Sequence, residues 1–256
     1  MFKTLRRFLA YFIDMLVVLI IVQAIASLPI NKDLNKYTKA YNKYLDSFNT
    51  YSNFVIDLNE YYKDKELDSD EYEDLVEDNP TYEEVIDKYY KNEKLNSKNY
   101  EKLVKEVDSK YLKEYRVDYY KVDKYSRLFN GVYFVVIILY FVGFNALTNG
   151  ATLGKKLARL RIVNSKDNNK RVSILSYVIR CVMLYQPLYY LFKTIFVSIL
   201  DVSIYSDVSS VIYNIHLYLL LAILTFIAVR LDGKGLHDIL AGTEVVSVNK
   251  SLKNME

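Results

Sequence analysis

The sequence has one cysteine, two histidines and no tryptophan among its 256 residues. The single cysteine, Cys181, excludes a disulfide within the chain. The histidines, His216 and His237, lie in different segments with neither an HExxH pattern nor a second thiol, so a zinc site has little support. No nucleophile stands with a base in a recognisable catalytic pattern. We therefore expect neither an enzyme nor a cofactor.

Two segments resemble ligand-binding loops only superficially. Residues 150–156 have three residues between their glycines where a phosphate-binding loop has four, and Lys156 replaces the hydroxyl that binds magnesium. The acidic run 66–78 lacks the glycine and the ligand spacing of a calcium-binding EF-hand loop. Basic residues flank apolar segments and form no patch with aromatic platforms, so we expect no nucleic-acid partner.

Charge is strongly segregated along the chain. Residues 31–126 carry 17 Lys/Arg against 23 Asp/Glu, whereas the remainder carries 17 against 8. Segregation on this scale indicates two environments rather than one mixed surface.

The long apolar stretches all lie outside the acidic segment. Each is close to or longer than the roughly 20 residues with which a helix crosses a bilayer. The first exceeds the core of a cleavable signal peptide and contains Asp14, so we expect a retained helix. Within the third, Pro187 could produce two half-helices that re-enter the membrane or lie on it. The stretches are 8–30, 128–147, 173–200 and 208–229.

The basic flanks of these stretches predict the orientation. Arg6 and Arg7 precede the first, and the segment between the second and third carries seven basic residues against one acidic residue. Both segments should be cytoplasmic, which places both termini in the cytoplasm. We therefore predict a first transmembrane helix (1–30), an extracytoplasmic insertion (31–126) and a remaining membrane core (127–256).

The predicted insertion has a helical period. Apolar residues from Tyr37 to Tyr62 recur at alternating steps of four and three, which places one seam along a helix. Residues 61–76 and 89–104, which we call the two repeats, are identical at 9 of 16 aligned positions. This similarity arises either by chance in a biased composition or from a duplicated helical unit. A duplication predicts a bundle of three or four helices.

The charges inside the apolar stretches are the strongest functional signal. A carboxylate in a spanning helix costs about 3 kcal/mol or more without a partner or water. Asp14 lies about 10 Å along the helix from Arg7, and Arg180 lies at a similar depth in the third stretch. The depths predict an Asp14–Arg180 ion pair, acting either as structural glue or as a proton or ion relay.

A short amphipathic segment follows the second apolar stretch. Its leucines share one helical face, while Lys155, Lys156 and Arg159 lie away from that face. This pattern is typical of a helix that lies at the membrane interface. We expect the three basic residues to contact lipid headgroups.

The segment from Arg7 to Asp14, RFLAYFID, resembles the opening of the RDD family of bacterial membrane proteins, which is named for one arginine and two aspartates. The resemblance continues through residues 150–155, 160–163, Arg180 and 235–246. It maps the name residues to Arg7, Asp14 and Asp238, and it implies a bacterial cell-membrane location and, for some members, cation/proton exchange. The long insertion departs from the family pattern.

Together these observations predict an all-α membrane protein. It has about four transmembrane helices in an RDD-like core, a helical extracytoplasmic insertion and a small cytoplasmic β ladder between residues 160–163 and 243–248. Asp238 is expected either to cap a helix or meet Arg7 or Arg159, as a structural group, or to line a permeation path.

Two functions remain open at this point. The first is a transporter such as a cation/proton exchanger, and since four helices make a thin wall for a pore, transport predicts a homo-oligomer. The second is a membrane anchor or assembly factor that presents residues 31–126 to a protein partner.

Overall fold

Helices dominate the described part of the chain, which comprises residues 2–28, 33–62, 67–91, 94–229 and 234–248 of a computed structural model. The helices are α1 (Phe2–Ala26), α2 (Leu34–Tyr61), α3 (Ser69–Asp78), α4 (Glu83–Tyr89), α5 (Ser97–Ile138), α6 (Asn145–Leu147), α7 (Leu153–Leu157), α8 (Ile174–Tyr185), α9 (Pro187–Ile199), α10 (Val202–Val229) and α11 (Leu236–Leu240). A 3-10 turn (Pro80–Tyr82) precedes α4, and a π-helical segment (Leu139–Phe144) joins α5 to α6. The strands are β1 (Leu160–Asn164) and β2 (Thr243–Ser247).

The chain forms two compact units, each with a hydrophobic core of its own. The first, which we call the core unit, comprises the described parts of Met1–Lys32, Ser126–Leu200 and Asp207–Glu256. The second, the insert unit, comprises the described parts of Asp33–Tyr125 together with Asp201–Ser206.

Several helices could cross a membrane by length and composition. Among the described residues these are Leu5–Ala26, Ser97–Leu147 and Val202–Ile223, while α8 and α9 pass the same test only as a pair bent by 73°. The chain is thus mostly helical, with three or four candidate spans. The orientation and the total of four remain predictions, and residues 29–30 of the first apolar stretch lie outside the described part.

The first candidate span, in α1, has one face buried against the protein and one face open to the surroundings. Ala10, Asp14, Val18 and Val22, spaced by four residues, are at most 2% exposed and lie on one face of α1. Large apolar side chains on the remaining surface are open, as Ile20 illustrates with 67% exposure. An apolar outer face with one polar residue on the inner face is the pattern of a helix surrounded by lipid.

The bend between α8 and α9 follows from the sequence at Pro187. Gln186 adopts a φ of 45°, in the left-handed region, and Pro187 begins α9. Proline has no backbone N–H, so it cannot continue the hydrogen bonding of α8. The third apolar stretch is therefore broken at Pro187, as one of the two alternatives had it, and a crossing of the membrane by the bent pair remains a prediction.

The predicted β ladder is also confirmed. Strands β1 and β2 pair antiparallel, from Leu160 opposite Ser247 to Asn164 opposite Thr243. The buried side chains of Leu160, Ile162 and Val245 contribute to the core-unit cluster. The ladder therefore fastens the segment after the second candidate span to the C-terminal part of the core unit.

Stacked tyrosines join α2 to α5 in the insert unit. Ring centroids lie 3.9 Å apart for Tyr51 and Tyr111, and 5.5 Å apart for Tyr44 and Tyr115. Since the partner numbers rise on one helix as they fall on the other, the two helices run antiparallel.

The predicted seam Tyr37–Tyr62 is only partly buried. Leu58 is 2% exposed, but Tyr41 is 40% exposed, and Phe54, which lies outside the seam, is 1% exposed. A seam of alternating four and three assumes 3.5 residues per turn. A straight α-helix has 3.6, so the buried face moves away from the seam along α2.

The two repeats correspond to a structural duplication within the described residues. Helices α3 and α5 begin at Ser69 and Ser97, which are equivalent positions of the repeats. The equivalent leucines Leu67 and Leu95 are 0% and 1% exposed. Residues 63–66 and 92–93 of the repeats lie outside the described part.

Aromatic contacts between the repeats are reciprocal. Tyr62 stacks on Tyr100 with centroids 4.1 Å apart, and Tyr90 stacks on Tyr72 at 4.0 Å. Exchanging the repeats converts one pair into the other, so the repeats are related by an approximate two-fold axis. Chance similarity does not account for this reciprocity, and the structure favours the duplicated unit.

Replacing Leu95 with Ala should destabilise the insert unit by about 2–5 kcal/mol, because the substitution leaves a cavity in a closed core. Hydrogen-exchange mass spectrometry of the full-length protein should show faster exchange of insert-unit amides. Leu112→Ala is the matched control, because Leu112 is 51% exposed. Equal protection in the two variants would contradict the assignment of Leu95 to the core.

Candidate functional site

Asp14 lies at the centre of a fully buried polar site in the core unit. Its Oδ1 accepts hydrogen bonds from the Tyr140 hydroxyl and the Gly154 amide, both at 2.8 Å. Its Oδ2 accepts a hydrogen bond from the Thr152 hydroxyl at 2.5 Å. The Lys155 ammonium lies 3.6 Å from Oδ2. Three donors and one cation offset the cost of removing the carboxylate from water.

Two local features bring these donors to Asp14. Tyr140 lies in the π-helical segment of the second candidate span, and such segments shift the side chains that follow relative to a regular α-helix. Gly154 packs so closely on α1 that a Cβ there would overlap the carbonyl oxygen of Ala10. Only glycine allows this approach, which delivers the Gly154 amide to the carboxylate.

Lys155 is a buried cation outside the candidate spans. It is 9% exposed, and its Nζ donates to the Thr152 hydroxyl oxygen at 3.0 Å. Burial lowers the pKa of Lys155 to about 8; Asp14 raises this pKa, and Arg180 lowers it. Lys155 is therefore charged below about pH 8 and neutral above it, so the charge beside Asp14 changes close to neutral pH.

A second buried ion pair joins Arg180 on α8 to Asp238 on α11. The same Arg180 nitrogen donates to the Thr243 hydroxyl at 2.7 Å, and the Gly235 amide donates to Asp238 Oδ2 at 3.0 Å. Burial raises the pKa of Asp238, but Arg180, His237 and the Gly235 amide outweigh burial and leave this pKa below its ordinary value.

At pH 7, His237 adds no charge to this pair. Its Nε2 lies 3.4 Å from Asp238 Oδ2. Burial and the positive charge of Arg180 lower the pKa of His237 to about 4. The imidazole is therefore neutral at pH 7.

The two ion pairs belong to one electrostatic network. Arg180 and Asp238 both act on the titration of Lys155. The network contains two carboxylates, of Asp14 and Asp238, and two cations, of Lys155 and Arg180. These four charges sum to zero as long as Lys155 is protonated.

The predicted Asp14–Arg180 ion pair is wrong. The prediction compared only the depths of the two charges along their helices, and depth does not include the loops between the helices. Residues 152–155 lie against Asp14, and the segment that carries Asp238 packs against Arg180. Asp238 caps the start of α11, as one alternative expected, but its cationic partner is Arg180 rather than Arg7 or Arg159.

The predicted headgroup contact of Lys155 is also wrong, because Lys155 is buried against Asp14. Lys156 and Arg159 are exposed, and their lipid contact remains a prediction. A single helical face was assumed for residues 153–160, whereas α7 ends at Leu157 and β1 begins at Leu160. The change of structure directs neighbouring lysines to different environments.

Arg7 fastens the start of α1 to the sheet. One of its guanidinium nitrogens donates to the Val245 carbonyl at 2.8 Å. Thr152 and Tyr140 were missed among the site residues. Thr152 lies inside the 150–155 motif and was therefore open to identification, whereas Tyr140 carries no local signal in a sequence with 26 tyrosines.

Residues 121–242 match the RDD family. The resemblance drawn from the sequence is confirmed over this range. Comparison with curated proteins and with solved structures gave no significant match. The family match contains Thr152, Lys155, Arg180 and Asp238, and the structure adds Asp14 of α1, which lies before the matched range. Together, the family match and the apolar helices indicate a membrane protein.

Replacing Gly154 with Ala should push α1 away from α7 and destabilise the core unit by about 1–3 kcal/mol, as overpacking does elsewhere. Thermal unfolding in detergent should show a lower midpoint. Gly143→Ala provides the control, because a Cβ at Gly143 would meet nothing within 4 Å. Equal midpoints for the two variants would show that the close approach of Gly154 to Ala10 does not hold.

Proposed function

We propose that this protein is a membrane transporter that exchanges a monovalent cation for a proton, with Asp14 and Lys155 as the exchanging pair. The observation that carries the proposal is the buried contact between a carboxylate and a lysine whose pKa is lowered to about 8. Such a pair holds either a proton on the lysine or a cation at the carboxylate.

The exchange follows from charge balance at the site. When Lys155 is protonated, its ammonium compensates Asp14 and competes with any other cation. When Lys155 loses its proton, the carboxylate is left beside the hydroxyl oxygens of Thr152 and Tyr140. Carboxylate and hydroxyl oxygens are ligands for hard cations such as Na⁺. One proton leaves as one monovalent cation enters, so the net charge of the network is preserved.

The composition of the site favours a monovalent cation over a divalent one. In the described residues, no group of three or more His, Cys, Asp and Glu side chains could hold a metal ion. A Ca²⁺ ion takes 6–8 oxygen ligands, typically including several carboxylates. Asp14 alone would leave half of a divalent charge uncompensated in a buried site.

Transport also requires a path through the membrane. The described residues of one chain contain three or four candidate spans, which make a thin wall for a pore. Apolar side chains on their outer faces are open, including Ile20 at 67% and Ile215 at 61% exposure. The proposal therefore includes a homo-oligomer in the membrane.

The test is cation-dependent proton flux in proteoliposomes. Wild-type flux should increase as the pH rises through about 8, because Lys155 then releases its proton. Asp14→Asn should reduce the flux by at least about tenfold. Lys155→Gln should abolish the proton flux at every pH, because the group that carries the proton is gone.

Lys156→Gln is the matched control, since it removes an exposed lysine from the neighbouring position. Circular dichroism and size-exclusion chromatography establish that each variant is folded. Absence of flux from folded wild-type protein, or a Lys155→Gln variant with the wild-type pH profile, would contradict the proposal.

A second function is favoured by the insert unit. This unit has its own core and an internal duplication, neither of which the exchange requires. In this alternative the protein is a membrane anchor or assembly factor that presents residues 31–126 to a protein partner. Crosslinking that recovers no partner and finds these residues monomeric would count against it.

The proposal places both termini in the cytoplasm of a bacterium and residues 31–126 outside the cell membrane. The single native cysteine is buried, so introduced cysteines can be labelled separately. An impermeant thiol reagent should label Asn53→Cys in intact cells and Lys166→Cys only after permeabilisation, since both positions are exposed. The reverse pattern would overturn the orientation.

A further inference from the structure

A groove of about 530 Å³ lies beside the start of α1. The wall formed by α1 is charged at Arg6 and apolar at Leu9 and Ile13. Arg6 and Ile13 are seven residues apart, or about 10 Å along the axis. Leu157 and Arg159, from α7 and the turn that follows it, also line the groove. The groove therefore combines two guanidinium groups with an apolar wall.

The two arginines have no acidic partner in the described part of the chain. Arg6 Nε donates to the Ala158 carbonyl at 3.0 Å, and its other nitrogens contact the Ala158 and Arg159 carbonyls and the Ser247 hydroxyl. All of these acceptors are neutral. Two positive charges at one groove without a carboxylate create a local field that favours an anion.

The backbone holds Arg159 in an unusual conformation. Its φ is 53°, in the left-handed region that non-glycine residues rarely adopt. The Arg159 carbonyl accepts a hydrogen bond from the Val248 amide at 2.9 Å, which extends the contact between the two β segments. This hydrogen bond holds in place the turn from which the Arg159 side chain extends.

The apolar wall is open to the surroundings. Leu157 is 73% exposed and Leu9 is 46% exposed. Leu9 belongs to the candidate span Leu5–Ala26, so its surroundings are those of the membrane. A ligand that fits both parts of the groove has an anionic head and a hydrocarbon tail.

We propose that this groove binds one anionic phospholipid. Its phosphate lies against Arg6 and Arg159, and an acyl chain lies along Leu9, Ile13 and Leu157. A free phosphate would satisfy the arginines but leave the apolar wall uncovered. A bound lipid bridges α1 and α7, so it strengthens the contact that places Lys155 beside Asp14.

The experiment is native mass spectrometry of full-length protein extracted from vesicles with equal phosphatidylglycerol and phosphatidylcholine. Wild-type protein should retain phosphatidylglycerol in preference to phosphatidylcholine. Arg159→Gln should lower this preference about fivefold, since one basic residue near a membrane surface contributes about 1 kcal/mol. Arg159→Lys should keep most of the preference, because the charge remains.

Arg171→Gln is the control, as it removes the same charge from an exposed residue that does not line the groove. A preference that survives in Arg159→Gln, or that falls equally in Arg171→Gln, would overturn the proposal. The measurement is independent of transport, so its result stands whether or not the protein exchanges cations.

Discussion

The burial of one carboxylate in a candidate membrane span determines the arrangement of the core unit. Asp14 is 0% exposed, and an unpaired charge at such a position would cost several kcal/mol. Its four partners come from the π-helical segment and from residues 152–155, so both must pack on α1. The close approach at Gly154 and the hydrogen bond from Tyr140 are consequences of that requirement. In the same way, burial of the Arg180–Asp238 pair requires the C-terminal segment to pack on α8.

The same chemistry gives the site its proposed activity. A hydrogen-bonded carboxylate with a permanently charged partner would have only a structural role. Lys155 differs because its pKa of about 8 allows it to lose a proton under cellular conditions. In the proposed exchange, the Asp14–Lys155 pair opens while the Arg180–Asp238 pair stays closed.

The sequence predicted features that depend on local pattern. The apolar stretches, the break at Pro187 and the ladder between β1 and β2 follow from hydropathy, proline chemistry and β-branched runs. The ion-pair partners of Asp14 and Arg180 could not be predicted from these patterns. Two loop segments, residues 152–155 and the segment that carries Asp238, determine which charges meet, and depth along a helix does not give their positions. Thr152 lies in a motif that the sequence displays and could have been identified there, whereas Tyr140 is one of 26 tyrosines and carries no local signal. The duplication was visible as identity between repeats, but only the reciprocal tyrosine stacking decided against chance.

The most direct test of the exchanging pair is the number of protons released when a cation binds. Purified protein in a lightly buffered detergent solution near pH 8 is titrated with NaCl, KCl and LiCl while a pH indicator reports free protons. For the transported cation, we expect saturable proton release that approaches one proton per chain when the starting pH is below the pKa of Lys155. Lys155→Gln should release no protons. Release that is absent from folded wild-type protein with all three cations, or unchanged in Lys155→Gln, would contradict it.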